Sequence, residues 1–309
     1  MVYYDSAGIE ASPVLVVLWA VFVGFVFSTV GAAGGILSGV GHITLMGIGD
    51  ANIIKVMNQF MVGTSSLVAI RSYIKMRRIV LLLGLSLGLG SVAGAVIGAV
   101  FSKTYLGGIE RYKFYFGLMV LMIALKVLYE TTPGFLKSRD RISRASVRYE
   151  KMMRMRGEAA SVSGEFSYGV NTLEKSITRV RFIFCGEEFS FSPATTFAAG
   201  AIIAAFSAAI GVGGGFLYVP FMTSIIGLPM FIVAGTSAVA VIVAMITSIL
   251  TYLQLGVRAD WILLGLELIG VVAGSVLGPW ASQFFKERWL KGFLGGVLLY
   301  IGARYTGPL

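Results

Sequence analysis

The run Gly211-Val-Gly-Gly-Gly-Phe-Leu-Tyr-Val-Pro220 constrains this chain most, because it interrupts apolar sequence that is otherwise long enough to cross a bilayer. Four glycines in five positions disfavour helix by about 1 kcal/mol each relative to alanine. A weaker copy, Gly31-Ala-Ala-Gly-Gly-Ile-Leu37, lies 180 residues earlier. Unwound backbone at membrane depth is tolerated only where protein buries it or where it lines a polar cavity. Two breaks in matching places therefore predict a binding site made from discontinuous helices. A dinucleotide-binding loop is excluded, since Phe216 stands where the third glycine of GxGxxG would fall, and the chain contains no GxxxxGK[ST].

Composition agrees with a membrane chain. Hydrophobic residues make up 57% and charged residues 13% of the 309, against roughly 45–50% and 25% in soluble domains. The 40 glycines suit close helix contacts, which membrane proteins build from small residues. A net charge of +10 is read as basic cytoplasmic loops facing anionic lipid headgroups, not as a nucleic-acid surface. The single Cys185 rules out an internal disulfide and any CxxC metal site. Asp5 and Glu10, with no base before the first apolar run, give no cleaved signal peptide.

Apolar segments run over 13–30, 34–49, 53–70, 79–101 and 112–130, then 194–210, 214–228, 230–255, 261–281 and 289–303. Shifting the chain by 180 residues superposes Gly31, Gly34, Gly35, Leu37, Gly47 and Arg78 on Gly211, Gly214, Gly215, Leu217, Gly227 and Arg258, and Gly90, Gly94 and Gly98 on Gly270, Gly274 and Gly278. The chain reads as an internal duplication. Arg71, Lys75, Arg77 and Arg78 crowd one loop of the first half, whereas its counterpart carries Arg258 and Asp260. The positive-inside rule then makes the repeats inverted, with the linker inside and the N-terminus outside. The expected architecture is an all-α integral membrane protein: repeats of about five segments over 1–130 and 194–309, broken at glycines and joined by a cytoplasmic linker, 131–193. Within the linker, Lys137–Arg156 holds eight basic and two acidic residues and suits a basic amphipathic helix on the inner leaflet. The stretch Arg179–Ser192 alternates around Gly186 like a β-hairpin.

Catalysis has little to rest on. There is one histidine, no HExxH and no carboxylate cluster on one helix face, so no enzyme, metal site or cofactor is expected. The polar groups within apolar segments are costly enough to need a role. Asn58 and Gln59 bring more donors than back-bonding to a helix explains, and Thr236 and Ser237 begin the counterpart segment. Glu267 either relays a coupling proton or pairs with an arginine of another span, and His42 titrates, binds an anion or packs with a hydrogen bond. Asp50 and Lys55 are read as interfacial, and Lys126 as snorkelling.

The glycine run followed by Pro220-Phe221, then Gly227-Leu-Pro229, Ala234-Gly-Thr-Ser237 and Leu255-Gly-Val-Arg-Ala-Asp-Trp261, resembles the TauE/SafE (sulfite exporter) family of membrane transporters over 195–305. The first half is a degenerate copy, with Lys55-Val-Met-Asn58 where Gly235-Thr-Ser appears later. The resemblance implies transport of sulfite, a sulfonate such as sulfoacetate, or a related organosulfur anion across the cytoplasmic membrane. The residues also favour a small anion on their own chemistry. Amides freed at glycine breaks accept three-oxygen anions without a strong charge partner. The expected substrate site is Gly31, Gly34, Gly35, Asn58, Gln59, Gly211, Gly213, Gly214, Gly215, Thr236 and Ser237, with Glu267 and His42 as coupling candidates and Arg71 and Arg258 steering the anion at the two mouths. The expected partners are this anion and the bilayer. A membrane-embedded sensor acting through the basic linker, or an anion channel, are the alternatives.

Overall fold

The computed structural model describes residues 1–30, 34–130, 170–281 and 287–307. A short antiparallel hairpin, β1 (Val2–Tyr4) and β2 (Ile9–Ala11), leads into α1 (Pro13–Val30). Then come α2 (Gly34–Val40, continued by a π-helical turn Gly41–Leu45), α3 (Ala51–Lys75), α4 (Leu81–Tyr105) and α5 (Ile109–Glu130). After the sheet β3 (Asn171–Lys175), β4 (Val180–Phe184) and β5 (Glu187–Phe191), the second half repeats the series. Its helices are α6 (Pro193–Ile210), α7 (Gly215–Pro220 with a π turn Phe221–Ile226), α8 (Met230–Gln254), α9 (Trp261–Ala281) and α10 (Glu287–Thr306). Among the described residues α3, α4, α5, α6 and α8 are long and apolar enough to span a membrane. A 25-residue helix such as α3 rises about 37 Å at 1.5 Å per residue, enough for a hydrocarbon core of about 30 Å.

The glycine ladders explain how the halves hold together. A Cβ added at Gly90, Gly94 or Gly98 of α4 would lie 1.9, 1.9 and 2.1 Å from the carbonyl oxygens of Phe197, Ala201 and Ala205 in α6. In the other half, Gly270 and Gly274 of α9 meet the carbonyls of Val17 and Val21 in α1 at 2.6 and 2.0 Å. The offset of 180 residues that relates Gly90 to Gly270 also relates Val17 to Phe197, so the packing repeats with the period of the sequence. In both pairs the numbers rise together, so the helices run parallel. α5 instead packs antiparallel on α10, with Gly117 against Tyr305 and Gly302 against Leu121. Each such contact replaces the hydrophobic drive that lipid cannot supply with close van der Waals packing.

The loops fall at two ends. The Val170 amide donates to the Arg77 carbonyl, placing the β3–β5 sheet beside the α3–α4 loop. At the far end of α4, the Lys103 ammonium donates to the Leu255 carbonyl in the α8–α9 loop. The amides of Ser6 and Ala7 donate to Asp260 at the start of α9, so the N-terminal hairpin shares that second end. The alternation around Gly186 is realised as β4–β5, turned by Cys185 and Gly186 at φ 50° and 80°, the left-handed pair that tight hairpins use. Phe182, Phe184, Phe189 and Phe191 are buried on one face while Arg181 pairs with Glu188 on the other. A third strand, β3, was not foreseen, nor was the N-terminal hairpin. Gly31 and the basic stretch 137–156 lie outside the described residues, as does the packing of Gly278.

Candidate functional site

The second glycine run is where α6 stops. Gly211 takes φ +75° and Gly213 φ +80° before α7 begins at Gly215. A helix end buried in protein must find partners for its last carbonyls, and three other helices provide them. Tyr252 of α8, Ser102 of α4 and Tyr112 of α5 donate hydroxyls to the carbonyls of Ala208, Ala209 and Ile210 at 2.9, 2.6 and 3.0 Å. Lys55 belongs to the same construction. Its side chain is fully buried against Gly211, and its ammonium donates to the Leu106 carbonyl at 2.7 Å and lies 4.9 Å from the centre of the Tyr112 ring. The interfacial reading of Lys55 is therefore wrong: a helix C-terminus and an aromatic face both favour a cation there. Asp50 does stay exposed, capping α3 by accepting from the Asn52 amide at 2.7 Å.

The two breaks touch. A Cβ on Gly35, at the start of α2, would lie 1.9 Å from the Val212 carbonyl oxygen and 2.9 Å from Val62, and one on Gly213 would lie 2.5 Å from the same valine. Gly34 abuts Phe27 and Gly214 abuts the Tyr218 ring. From this meeting point α2 runs back along α3, Ser38 reaching Asn58 and Met61, and His42 reaching Asn58.

These contacts form a buried polar cluster. His42 Nδ1 lies 2.8 Å from Asn58 Oδ1, which also accepts from the Ser38 hydroxyl at 2.7 Å, and His42 Nε2 lies 2.6 Å from Glu267 Oε1. The partner of Glu267 is thus the histidine and not an arginine. Because an amide oxygen only accepts, Nδ1 carries a hydrogen and the Nε2–Glu267 contact holds one shared proton. Asn58 Nδ2 and Glu267 Oε2 within the cluster, and the Trp19 indole nitrogen against Gly41 beside it, are buried with no protein partner, as are both amide atoms of Gln59 on α3 and the Tyr4 hydroxyl. Native proteins seldom leave such groups unmatched except where a ligand or water meets them.

Thr236 does different work from the one expected: its hydroxyl accepts from the Val80 amide at 3.0 Å, capping the start of α4. Ser237 bonds back to the Ala234 carbonyl and, with Ser28, Ser66, Tyr73 and Gly215, lines a small cleft of about 20 Å³. Arg71 and Arg258 are exposed, at the ends marked by the sheet and by the N-terminal hairpin respectively. Among the described residues no three His, Cys, Asp or Glu side chains are grouped to hold a metal. Ser38 escaped the sequence reading although it stands one turn before His42. Tyr4 and Trp19 escaped it because nothing local marks them, and Asp260 was read as a loop charge and part of a motif, not as a partner of the hairpin.

Apolar spanning helices around buried polar groups and helix breaks define a multi-pass α-helical membrane protein of the transporter class. The family model for the sulfite exporter TauE/SafE proteins matches residues 16–305. The chain belongs to the sulfite exporter TauE/SafE family, whose members are membrane transporters of sulfur anions. Searches of curated proteins and of solved structures each gave no match.

Proposed function

We propose that this chain is a secondary transporter carrying a small organosulfur anion, of the sulfite, sulfonate or sulfoacetate kind, across the cytoplasmic membrane by alternating access. The observation that carries the reading is the contact between the two glycine breaks beside unmatched amides. Asn58 and Gln59 lie one turn before Val62 on α3, the residue both breaks touch, so their NH₂ groups and the amides of the first turns of α2 and α7 can converge on three anionic oxygens. Gly34, Gly35, Gly211, Gly213, Gly214 and Gly215 supply close backbone approach, Ser237 faces the neighbouring cleft, and Arg71 and Arg258 raise the local anion concentration at the mouths.

Two inverted repeats, 1–130 and 194–309 about a cytoplasmic linker 131–193, give the machine its two states. The reading is supported by packing that repeats at an offset of 180, and by loops near Arg78 and Arg258 that lie at opposite ends of α4. Rocking one set of helices against the other would expose the central site alternately. The test is uptake of labelled sulfite into proteoliposomes. Saturable uptake, competed by sulfonates, is expected. Absence of flux would favour a membrane-embedded sensor acting through the basic linker, and flux that does not saturate would favour a channel.

A further inference from the structure

Among the described residues the polar cluster exists once. The positions equivalent to His42, Asn58 and Glu267 are Met222, Ala238 and Leu87, all buried and apolar. A duplicated scaffold has therefore acquired one titratable pair, placed on one side of its pseudo-symmetry. With the shared proton the pair is neutral overall; without it the pair carries one buried negative charge, and Glu267 Oε2 has no donor to offset it. Asn58 joins the pair to the anion site, since its oxygen orients His42 while its NH₂ group is unmatched. Two negative charges in one low-dielectric site repel strongly, so an anion at Asn58 and a proton on the pair favour one another's binding.

The N-terminal hairpin is fastened to the start of α9, the helix that carries Glu267. Tyr4 of the N-terminal hairpin is 1% exposed, and its phenol is pushed above the ordinary tyrosine range by burial first, then by the carboxylates of Asp260 and Glu267. It stands within electrostatic reach of both. Asp260 and Glu267 are seven residues apart on α9, two turns along one face. Asp260 Oδ2 accepts the Ser6 and Ala7 amides at 3.1 and 3.3 Å, while Oδ1 caps the Leu263 amide at 3.1 Å. With three amides bonded to its two oxygens, Asp260 is a latch and not a relay. Among the described residues, the other ionisable groups on the elements packed about the cluster are Lys55 of α3, engaged with the Leu106 carbonyl, Tyr112 of α5 and Tyr305 of α10; α1 contributes none.

We propose that His42 and Glu267 together bind the proton that travels with the anion, one per cycle, and that the N-terminal hairpin latched by Asp260 is the lid controlling exchange of this proton with the phase on the hairpin side. This rests on the transport reading. The proton comes from bulk water, is held between Nε2 and Oε1, and returns to water on the opposite side.

Isothermal titration of the purified full chain with isethionate, a sulfonate of fixed charge near neutral pH, in buffers of different ionisation enthalpy reads the protons taken up per anion. At a pH high enough that the free pair has released its proton, one proton per anion is expected for the wild type and none for Glu267→Gln. Binding without proton uptake, or uptake unchanged in that variant, overturns this inference alone; no binding at any pH overturns the transport reading as well. His42 is the only histidine, so its modification by diethyl pyrocarbonate, read by mass spectrometry, reports on the lid. Asp260→Ala should speed labelling about tenfold, and Tyr4→Ala should do the same if the first variant folds poorly. Equal protection in the wild type and in both variants overturns the lid.

Discussion

Alanine at Gly94 tests the account of how the halves are held together. Its Cβ would sit 1.9 Å from the Ala201 carbonyl oxygen, about 1.4 Å short of the 3.3 Å at which carbon and oxygen ordinarily touch. The obstacle is backbone, so α4 and α6 must part. A gap of 0.5–1 Å already forfeits a quarter to a half of the dispersion well, and the loss extends to Gly90 and Gly98 on the same seam. Overpacking of this sort costs about 1–3 kcal/mol, against about 1 kcal/mol gained from alanine's helix propensity. Gly265 is the internal control, exposed on α9 with nothing within 4 Å of its added Cβ, so Gly265→Ala should show the propensity gain alone. Thermal unfolding in one detergent should place Gly94→Ala below the wild type and Gly265→Ala at or above it, with Gly94→Leu and Gly274→Leu giving little folded protein. Equal stability of Gly94→Ala and Gly265→Ala would refute the close-packed seam.

Gly213 and Gly227 share a left-handed φ, +80° and +81°, but only Gly213 has a neighbour, Val62 at 2.5 Å; sulfite uptake per folded protein should therefore fall much further in Gly213→Ala than in Gly227→Ala, and folded yield should be the lower in Gly213→Ala. Asn58→Ala should weaken anion binding by about 1–3 kcal/mol, the range for a hydrogen bond to a charged partner, measured by titration with isethionate. Tyr112→Phe leaves the Ile210 carbonyl without its hydroxyl donor and should cost about 1–3 kcal/mol of stability in thermal unfolding. Single cysteines at Ser72 and Arg258, in a Cys185→Ser background, should react with impermeant maleimide from opposite faces of sealed vesicles; labelling from one face would refute inverted topology.

How much could be read from the chain differed between kinds of feature. Apolar run lengths, the glycine ladder and the alternation around Gly186 are local or periodic, and each states its own physical requirement: enough residues to cross hydrocarbon, no side chain where helices touch, a left-handed turn between strands. Even the partners of the ladder recur with it, since Gly90 on Phe197 and Gly94 on Ala201 are matched by Gly270 on Val17 and Gly274 on Val21 at an offset of 180. The role of the hairpin at 1–11 was not legible, since Tyr4 acquires meaning only where α9 brings Asp260 and Glu267 beside it.

The sequence alone therefore determined that this is a mostly helical membrane protein and where its helices can touch closely, because burial in lipid and the absence of a side chain at glycine depend on residue type and spacing. Tertiary structure alone decided which polar groups meet. It set His42 against Glu267 across 225 positions, sent Thr236 to cap α4, and drew Lys55 from the expected interface to the buried end of α6. A charge or hydroxyl takes its role from the partner within about 3 Å, and packing, not spacing along the chain, selects that partner.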